Sequence, residues 1–364
     1  MSERIYLDHN ATSPLREGVR EAVLAALDTC GNPSSIHAEG RAARGLIEAA
    51  REKVARLVGA RAEDVIFTSG GTEANALALA PQRGDWFCYV SGIEHPSVLA
   101  GGRFPQDSIM SIPATADCVI DLEKLAGALA NSQMKGRRPF VSLMAANNET
   151  GAIQPVADAA TMVHEAGGLL HSDAIQAAGK VPFDLASSGA DMISLSAHKF
   201  GGPKGVGALV LRQGVTVEPL IKGGGQERRR RAGTENVSGI VGFGVAAELA
   251  SAGLGKAAEI GKLRDELEAR AVSIAPDRIV FSANVARLPN TSAFAVPATK
   301  AETLLIGLDL AGVAVSSGSA CSSGKVEASH VLKAMGIAPE LAQGALRVSL
   351  GPDTTKVQID RFIA

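Results

Sequence analysis

The chain has 364 residues, more than a typical single domain, so two domains around one site are expected. Hydrophobic residues make up 46% of it and charged residues 20%, as in an ordinary soluble enzyme. The formal net charge of −2 gives no electrostatic reason to bind nucleic acid or an anionic membrane, so neither is expected as a partner.

Amphipathic helices and short apolar runs alternate between about residues 15 and 250. Residues 16–27 and 39–58 carry apolar side chains at helical spacing. Short apolar runs bounded by turn residues are typical of strands in a buried parallel sheet, and they occupy residues 64–69, 86–91, 139–147, 168–174, 191–197 and 206–212. This alternation predicts an α/β sandwich with helices on both faces of the sheet.

The pattern changes after about residue 250. A helix is predicted over residues 257–272, and strand-like runs follow it at 278–283, 291–296, 313–317 and 345–351. We therefore expect a large domain of residues 15–250. A smaller α+β domain is expected from residues 1–14 together with 251–364.

The cysteines are Cys30, Cys88, Cys118 and Cys321, and no two of them have C-x-x-C spacing. This spacing argues against a zinc site and against a disulfide framework, so no metal is expected. Cys88 stands in the apolar run DWFCYV, which predicts a core position. Cys321 stands in SSGSACSSG, whose small polar residues predict a mobile surface loop over about residues 316–330. Of the four thiols, only Cys321 is in a setting that invites chemistry.

Two further patterns bear on the compartment. No apolar stretch approaches the roughly 20 residues that a membrane-spanning helix needs. The start of the chain, MSERIYLDHNATSPL, lacks the apolar core of a secretory signal. The expected location is therefore the reducing cytoplasm.

A Gly-Gly-Thr turn joins a predicted strand to a predicted helix at Gly71 and Thr72. Free backbone N–H groups at such a helix start, with the threonine hydroxyl, favour an anion such as phosphate. No G-K-[ST] follows, which excludes the nucleotide-triphosphate P-loop pattern. The one basic cluster, QERRRRAG at residues 226–233, is compatible with a solvated loop face and equally with a phosphate or partner contact.

Polar residues also end two later strands. Asp173 is either a helix cap or a buried acid that keeps a heterocyclic nitrogen protonated. Lys199 follows another buried strand, after Ser196 and His198, in a setting suited to a Schiff-base amine. With Arg347 on the apolar run ALRVSLG as a carboxylate partner, these are the working parts of a pyridoxal 5'-phosphate enzyme.

Ten motifs carry a more specific resemblance over nearly the whole chain. They are YLDHNATSP, GNPSSIHAEGR, TSGGTEAN, EHPSV, NNETGAIQP, HSDAIQAAGK, SAHKFGGPKG, RAGTEN, SSGSACSSG and ALRVSLG. In these motifs the chain resembles the cysteine desulfurases of the NifS/IscS type, which are class V aminotransferase-like enzymes of the fold-type I pyridoxal phosphate group. The resemblance implies a large domain with a mainly parallel seven-stranded sheet between helices, plus a smaller α+β domain. The spelling of the cysteine motif resembles the first group of desulfurases.

The resemblance also implies a role for each site residue. Lys199 would bind the cofactor as a Schiff base, and His95 would stack on its ring and shuttle protons. Asp173 would pair with the ring nitrogen and Gln176 with the phenolic oxygen. The phosphate would be held by Gly71, Thr72, Ser196, His198 and the Thr234 of a second subunit, and the substrate carboxylate by Asn148 and Arg347. A homodimer is therefore expected.

The implied activity is conversion of L-cysteine to L-alanine, with sulfur left as a persulfide on Cys321 for an acceptor such as an iron–sulfur scaffold protein. Glycines at 318 and 324 would give the loop hinge freedom. A selenocysteine lyase or a related class V lyase or aminotransferase is the alternative enzyme. A non-catalytic sulfur carrier on the same fold is the alternative outside enzymes, and the set of Lys199, Asp173, His95 and Arg347 argues against it.

Overall fold

The computed structural model describes residues 4–80, 85–317 and 329–364. The helices of these residues are α1 Glu17–Leu27, α2 Ala38–Leu57, α3 Gly71–Ala78, α4 Pro96–Leu99, α5 Leu122–Met134, α6 Val156–Glu165, α7 Leu185–Ser188, α8 Val237–Gly253, α9 Ala257–Ile274, α10 Ala301–Leu310, α11 His330–Ala334, α12 Pro339–Ala342 and α13 Lys356–Ile363. The strands are β1 Ile5–Tyr6, β2 Val65–Thr68, β3 Trp86–Ser91, β4 Ile109–Ile112, β5 Arg138–Ser142, β6 Leu169–Asp173, β7 Met192–Ser196, β8 Gly207–Leu211, β9 Ile279–Val280, β10 Thr291–Ala295, β11 Val313–Ala314, β12 Ser316–Ser317 and β13 Ala345–Ser349.

A seven-stranded sheet with the order β2-β8-β7-β6-β5-β3-β4 forms the centre of the fold. Its pairings are parallel except at β8, which is antiparallel to both β2 and β7. The prediction of a mainly parallel, seven-stranded α/β fold is confirmed. Two details of the strand prediction were wrong: the run at 206–212 is antiparallel, and β4 was missed because this edge strand is largely exposed and lacks a buried apolar run.

Helices cover both faces of this sheet because successive side chains of a buried strand point to opposite sides. In β2, Phe67 packs with Phe243 of α8 at a ring-centroid distance of 6.0 Å, whereas Ile66 belongs to the opposite core with Leu77 of α3. Cys88 is fully buried in that second core, which confirms its predicted position. Because the helices cover the faces of the sheet, a ligand site is expected at the carboxyl ends of the parallel strands.

The N-terminal strand β1 pairs in parallel with β11, so the start of the chain joins its C-terminal part. There, β12, β13, β10 and β9 form a four-stranded antiparallel sheet in that order. Separate apolar cores flank this sheet, one of them including Leu7, Leu267 and Val348. The division into domains at residues 14 and 250 stays a prediction.

One stretch of the described residues, Val237–Ile274, is long and apolar enough to cross a membrane by length and composition. The expectation that no stretch approaches this length was therefore too strong. The stretch comprises α8 and α9, and α8 packs against α1 and α2. Small residues permit that packing: a Cβ on Gly244 would lie 2.6 Å from the Cα of Ala50. The composition of α8 is that of a core helix in close contact with neighbouring helices.

Candidate active site

The Gly-Gly-Thr turn begins α3 directly after β2, at the carboxyl end of the sheet. A Cβ on Gly71 would lie 2.2 Å from Cδ1 of Ile175 and 3.3 Å from Cβ of Ser196, so a side chain here would collide with the residues around it. Thr72 is exposed and Ser196 is buried at the end of β7. The structure therefore brings the helix N-terminus and Ser196 together, as a phosphate cradle requires.

Asp173 ends β6 and is buried. Its Oδ2 accepts a 2.7 Å hydrogen bond from Nδ2 of Asn75, and its Oδ1 accepts a 3.0 Å bond from the backbone N–H of Ile175. Burial raises the pKa of Asp173, while the Asn75 bond and the nearby His95 and Lys199 counteract this rise. One oxygen thus caps the following turn, as the first interpretation expects, and the other is held by Asn75; a bond from this carboxylate to a heterocyclic nitrogen stays a prediction.

His95 is the residue before α4 and is partly buried. Its Nδ1 accepts a 3.1 Å hydrogen bond from the backbone N–H of Ser97 and lies 2.8 Å from the Ser97 hydroxyl. Burial lowers the pKa of His95, whereas the neighbouring Asp173 opposes this shift. The neutral ring therefore carries its proton on Nε2.

Lys199 ends a short 3₁₀ turn, Ala197–Lys199, immediately after β7. Its Nζ donates to the backbone oxygens of Asn10 at 2.8 Å and Ala11 at 2.9 Å. Gln176 Nε2 donates to the same Asn10 oxygen at 2.9 Å. The N-terminal segment thus brings the expected Schiff-base lysine and the expected partner of the phenolic oxygen to one point.

A second lysine lies in the same network. Lys180 Nζ donates to Oε1 of Gln176 at 2.6 Å and to Oδ1 of Asn10 at 2.9 Å. Burial, together with the positive charges of Lys199 and Arg347, holds the pKa of Lys180 well below its ordinary value. Neither Lys180 nor Asn10 was expected at the site from the sequence, although both stand within the motifs that carry the resemblance.

His198 packs beside this network, with Nδ1 3.1 Å from the hydroxyl of Thr12. Burial and then the charges of nearby lysines lower the pKa of His198 to about 4. The ring is therefore neutral at pH 7. It can support an anion through a hydrogen bond and adds no charge of its own.

Arg347 of β13 and Asn148 are joined by a hydrogen bond. The Arg347 Nη1 donates to the backbone oxygen of Asn148 at 3.0 Å, and its Nη2 donates to Oδ1 of Asp8 at 2.8 Å. Nε of Arg347 and Oδ1 of Asn148 are both buried without a hydrogen-bond partner among the described residues. Buried polar atoms normally have partners, so these two atoms indicate a ligand with polar groups.

These residues fit pyridoxal phosphate by their chemistry: an amine, a buried carboxylate, an imidazole and a helix start surround one region. Asn75 is a further member that was not expected from the sequence, because an asparagine within a helix has no distinguishing local pattern. One predicted residue is not brought into this set. Thr234 is exposed on the loop after Arg231, whose guanidinium pairs with Glu73 of α3. Cys321 lies outside the described residues.

Comparison with known proteins adds to this geometry. The model of the aminotransferase class-V family matches residues 5–362. A protein of Cereibacter sphaeroides named cysteine desulfurase is 47% identical over 99% of this chain and 94% of its own length. A protein of Dictyoglomus turgidum named cysteine desulfurase IscS is 41% identical over 99% of this chain and 93% of its own.

Solved structures are similar over the same extent. The NifS-like protein from Rickettsia africae ESF-5 superposes with a TM-score of 0.90 at 36% identity, covering 99% of this chain and 98% of that one. A structure described as SspA in complex with cysteine has a TM-score of 0.81 at 29% identity and covers 96% of this chain and 100% of that one.

Proposed function

This chain belongs to the aminotransferase class-V family, and we propose that within it the protein is a pyridoxal phosphate-dependent cysteine desulfurase. It would convert L-cysteine to L-alanine and leave the sulfur on Cys321 as a persulfide. The observation that carries the proposal is the convergence of Lys199, Asp173 and His95 on one region, beside the two unpartnered atoms of Arg347 and Asn148. The full-length relatives named cysteine desulfurase support the same activity.

The described residues can hold the cofactor at several points. Lys199 provides the amine, Asp173 the partner of the ring nitrogen, and Gln176 a donor for the phenolic oxygen. The phosphate would be bound at the start of α3, where the backbone of Gly71 lies beside Ser196. When bound, pyridoxal phosphate supplies an electron sink for the substrate's α-carbon.

Arg347 and Asn148 orient the substrate. The Arg347 guanidinium is held by Asp8 and by the Asn148 backbone, so its position is set before cysteine arrives. Its unpartnered Nε can donate to a carboxylate, whereas the unpartnered Oδ1 of Asn148 is an acceptor and needs a donor. An amino-acid substrate supplies a carboxylate that accepts from Nε of Arg347 and an amino group that donates to Oδ1 of Asn148, and so satisfies both buried atoms.

His95 transfers the proton, and Cys321 receives the sulfur. Since Nδ1 of His95 is bound to Ser97, its Nε2 is the nitrogen that can give a proton to a substrate carbon. As a thiolate, Cys321 attacks the substrate sulfur, so that a sulfur–sulfur bond forms and the carbon–sulfur bond breaks. The electron pair left on carbon takes up a proton, which yields alanine and an enzyme persulfide.

The oligomeric state, the sulfur acceptor and the cellular compartment follow from this proposal. We expect a homodimer in which Thr234 of the partner subunit reaches the phosphate, since Thr234 is exposed in the single chain. The persulfide would pass to an acceptor such as an iron–sulfur scaffold protein, in the cytoplasm, where thiols stay reduced. Sedimentation of a fully active monomer would contradict the dimer.

The decisive experiment compares the holoenzyme with Cys321→Ala. The variant should still show the absorbance change that cysteine binding causes, because Lys199, His95 and Arg347 are unchanged. Alanine formation should fall to a trace, and mass spectrometry should find no persulfide. Cys30→Ala is the matched control, because Cys30 is an exposed thiol outside the site and its loss should change neither result. Wild-type alanine formation by Cys321→Ala would refute the proposal.

A further inference from the structure

Lys180 is a lysine of the site that has no role in the chemistry described above. It stands four residues after Gln176 in the turns that follow β6, and its Nζ donates to Oε1 of Gln176 at 2.6 Å and to Oδ1 of Asn10 at 2.9 Å. Gln176 and Asn10 are both buried, so these acceptors are shielded from water. The lysine is therefore their partner in place of solvent.

Asn10 is a fixed acceptor for Lys180. Its backbone N–H donates to Oγ of Ser349 at 2.9 Å, and its Nδ2 donates to Oγ1 of Thr291 at 2.9 Å. Its Oδ1 accepts a second bond, of 3.1 Å, from Nδ2 of Asn290. The bonds to residues at the ends of β10 and β13 thus set the orientation of the Asn10 amide, and this amide in turn sets the position of the Lys180 amine.

The orientation of the Gln176 amide follows from its two neighbours. Its Nε2 donates to the backbone oxygen of Asn10 at 2.9 Å, and a carbonyl oxygen can only accept. Its Oε1 faces Lys180, whose amine donates to it. A rotated amide would place oxygen against oxygen and its NH2 group against the donating amine. Lys180 and Asn10 together therefore determine which side of Gln176 is the donor.

We propose that Lys180 is a positioning residue for the cofactor: by donating to Oε1 of Gln176, it holds the NH2 group of that side chain in place for the phenolic oxygen of pyridoxal phosphate. Within the described part of the chain, Nε2 of Gln176 donates to one acceptor, so its second hydrogen is left for that oxygen. The same Asn10 oxygen accepts from Nζ of Lys199 at 2.8 Å, which brings the donor close to the amine that binds the cofactor. The inference rests on the proposed function, because it assumes that Lys199 holds pyridoxal phosphate.

This role does not depend on the charge of Lys180. Burial, together with the positive charges of Lys199 and Arg347, lowers the pKa of Lys180. The nearby His9 and His198 are neutral at pH 7, because burial and then the charges of nearby lysines lower the pKa of each to about 4. A neutral amine still has two hydrogens, one for each of its two acceptors, so the orientation of the glutamine amide is the same in both protonation states.

A donor at the phenolic oxygen affects the proton on the nitrogen that Lys199 contributes to the Schiff base. The negative charge of the oxygen attracts this proton, and a hydrogen bond from Gln176 takes up part of that charge. Loss of the donor should therefore raise the pKa of the Schiff base. This pKa is read from the absorbance of the bound cofactor and is independent of turnover.

The test titrates that absorbance with pH in the wild-type and Lys180→Met holoenzymes. The variant should retain the cofactor, and its Schiff-base pKa should rise by about one unit, a tenfold change in proton affinity. Lys180→Arg keeps a donor, for which the adjoining cavity of about 730 Å³ leaves room, and should restore the wild-type value. Lys204→Met is the matched control, because Lys204 is an exposed lysine whose charge also reaches His198, and its loss should leave the Schiff-base pKa unchanged.

A double variant separates positioning from a direct effect of the lysine charge. Gln176→Leu removes the amide, so its Schiff-base pKa should rise as in Lys180→Met, and combining the two changes should raise it no further. Additive shifts in the double variant would overturn the inference, as would a wild-type pKa in either single variant. A wild-type protein that forms no Schiff base with pyridoxal phosphate would overturn the proposed function itself, and the inference with it.

Discussion

Asn75 of α3 and Asp173 of β6, 98 residues apart in sequence, are joined by a 2.7 Å hydrogen bond between Nδ2 and Oδ2 in the buried centre of the site. The same Nδ2 lies 2.9 Å from the hydroxyl of Ser97, which in turn lies 2.8 Å from Nδ1 of His95. One amide therefore connects the expected acid to the expected proton carrier. The relative positions of Asp173 and His95 are set by the packing of α3 on the sheet.

Asp173→Asn keeps the size of the side chain and removes its charge. We expect turnover to fall by about a hundredfold or more, because a neutral amide cannot stabilise a protonated ring nitrogen. Alanine formation at saturating cysteine and pyridoxal phosphate measures the effect. Asp191→Asn is the control: Asp191 is also buried but pairs with Arg212 and His164 away from the site, so its loss should lower stability only. Near-normal turnover in Asp173→Asn would mean that Asp173 serves only as the cap of Ile175.

Lys199→Ala should abolish covalent attachment of the cofactor. After borohydride reduction, mass spectrometry should find the pyridoxal phosphate adduct on the wild type and none on the variant. Lys180→Met is a demanding control, because burial also lowers the pKa of Lys180 and keeps it a candidate nucleophile. It should retain the adduct. An adduct that persists in Lys199→Ala and disappears when Lys199→Ala is combined with Lys180→Met would assign the covalent attachment of the cofactor to Lys180.

Arg347→Lys should weaken cysteine binding. Lysine keeps the positive charge but cannot reach Asp8, the Asn148 backbone and a carboxylate at once, as the planar guanidinium can. We expect KM for cysteine to rise roughly tenfold, corresponding to about 1.4 kcal/mol, with a smaller change in kcat. Arg287→Lys is the comparison, since Arg287 is a buried arginine paired with Glu268 outside the site. Equal KM values in the wild type and Arg347→Lys would exclude the carboxylate role.

The stability of the protein should depend on pH through His171. This histidine is fully buried between strands, 2.8 Å from the hydroxyls of Ser142 and Ser194, and burial lowers its pKa to about 3. As the pH falls below about 6.5, the unfolded chain binds a proton that the folded chain refuses, so stability is lost progressively down to about pH 3. At about 1.4 kcal/mol per pKa unit, the loss amounts to a few kcal/mol.

Urea unfolding at several pH values tests this expectation in the wild type and in His171→Gln. The variant should be less stable at pH 7, because the bridge to the two serines is altered. Its stability should nevertheless decline less steeply between pH 6.5 and pH 4. Equal slopes in the two proteins would show that other groups cause the loss in acid.

Much of the architecture could be predicted from local pattern alone. The short, largely apolar runs at residues 86–91, 168–174 and 191–197 form buried strands, because runs of this kind are typical of the centre of a sheet that helices cover on both faces. Lys199 and Asp173 were identified because polar residues directly after buried strands lie at the carboxyl edge of a parallel sheet. Their roles in the site are proposals that the variants above can test.

What the sequence by itself determined was therefore the class of fold and most strand ends, and it singled out the side chains proposed to be chemically active, since these depend on periodicity and on neighbours a few residues away. The tertiary structure alone decided the partners: Asn10 with Lys199 and Lys180, Asn75 with Asp173, and Glu149 with Ser329. Each of these bonds joins residues about 100 or more positions apart. The physical reason is that an asparagine or a serine has the same local pattern on a solvated loop as in a buried site. Only the packing of distant elements removes water from these side chains and leaves them to bind one another.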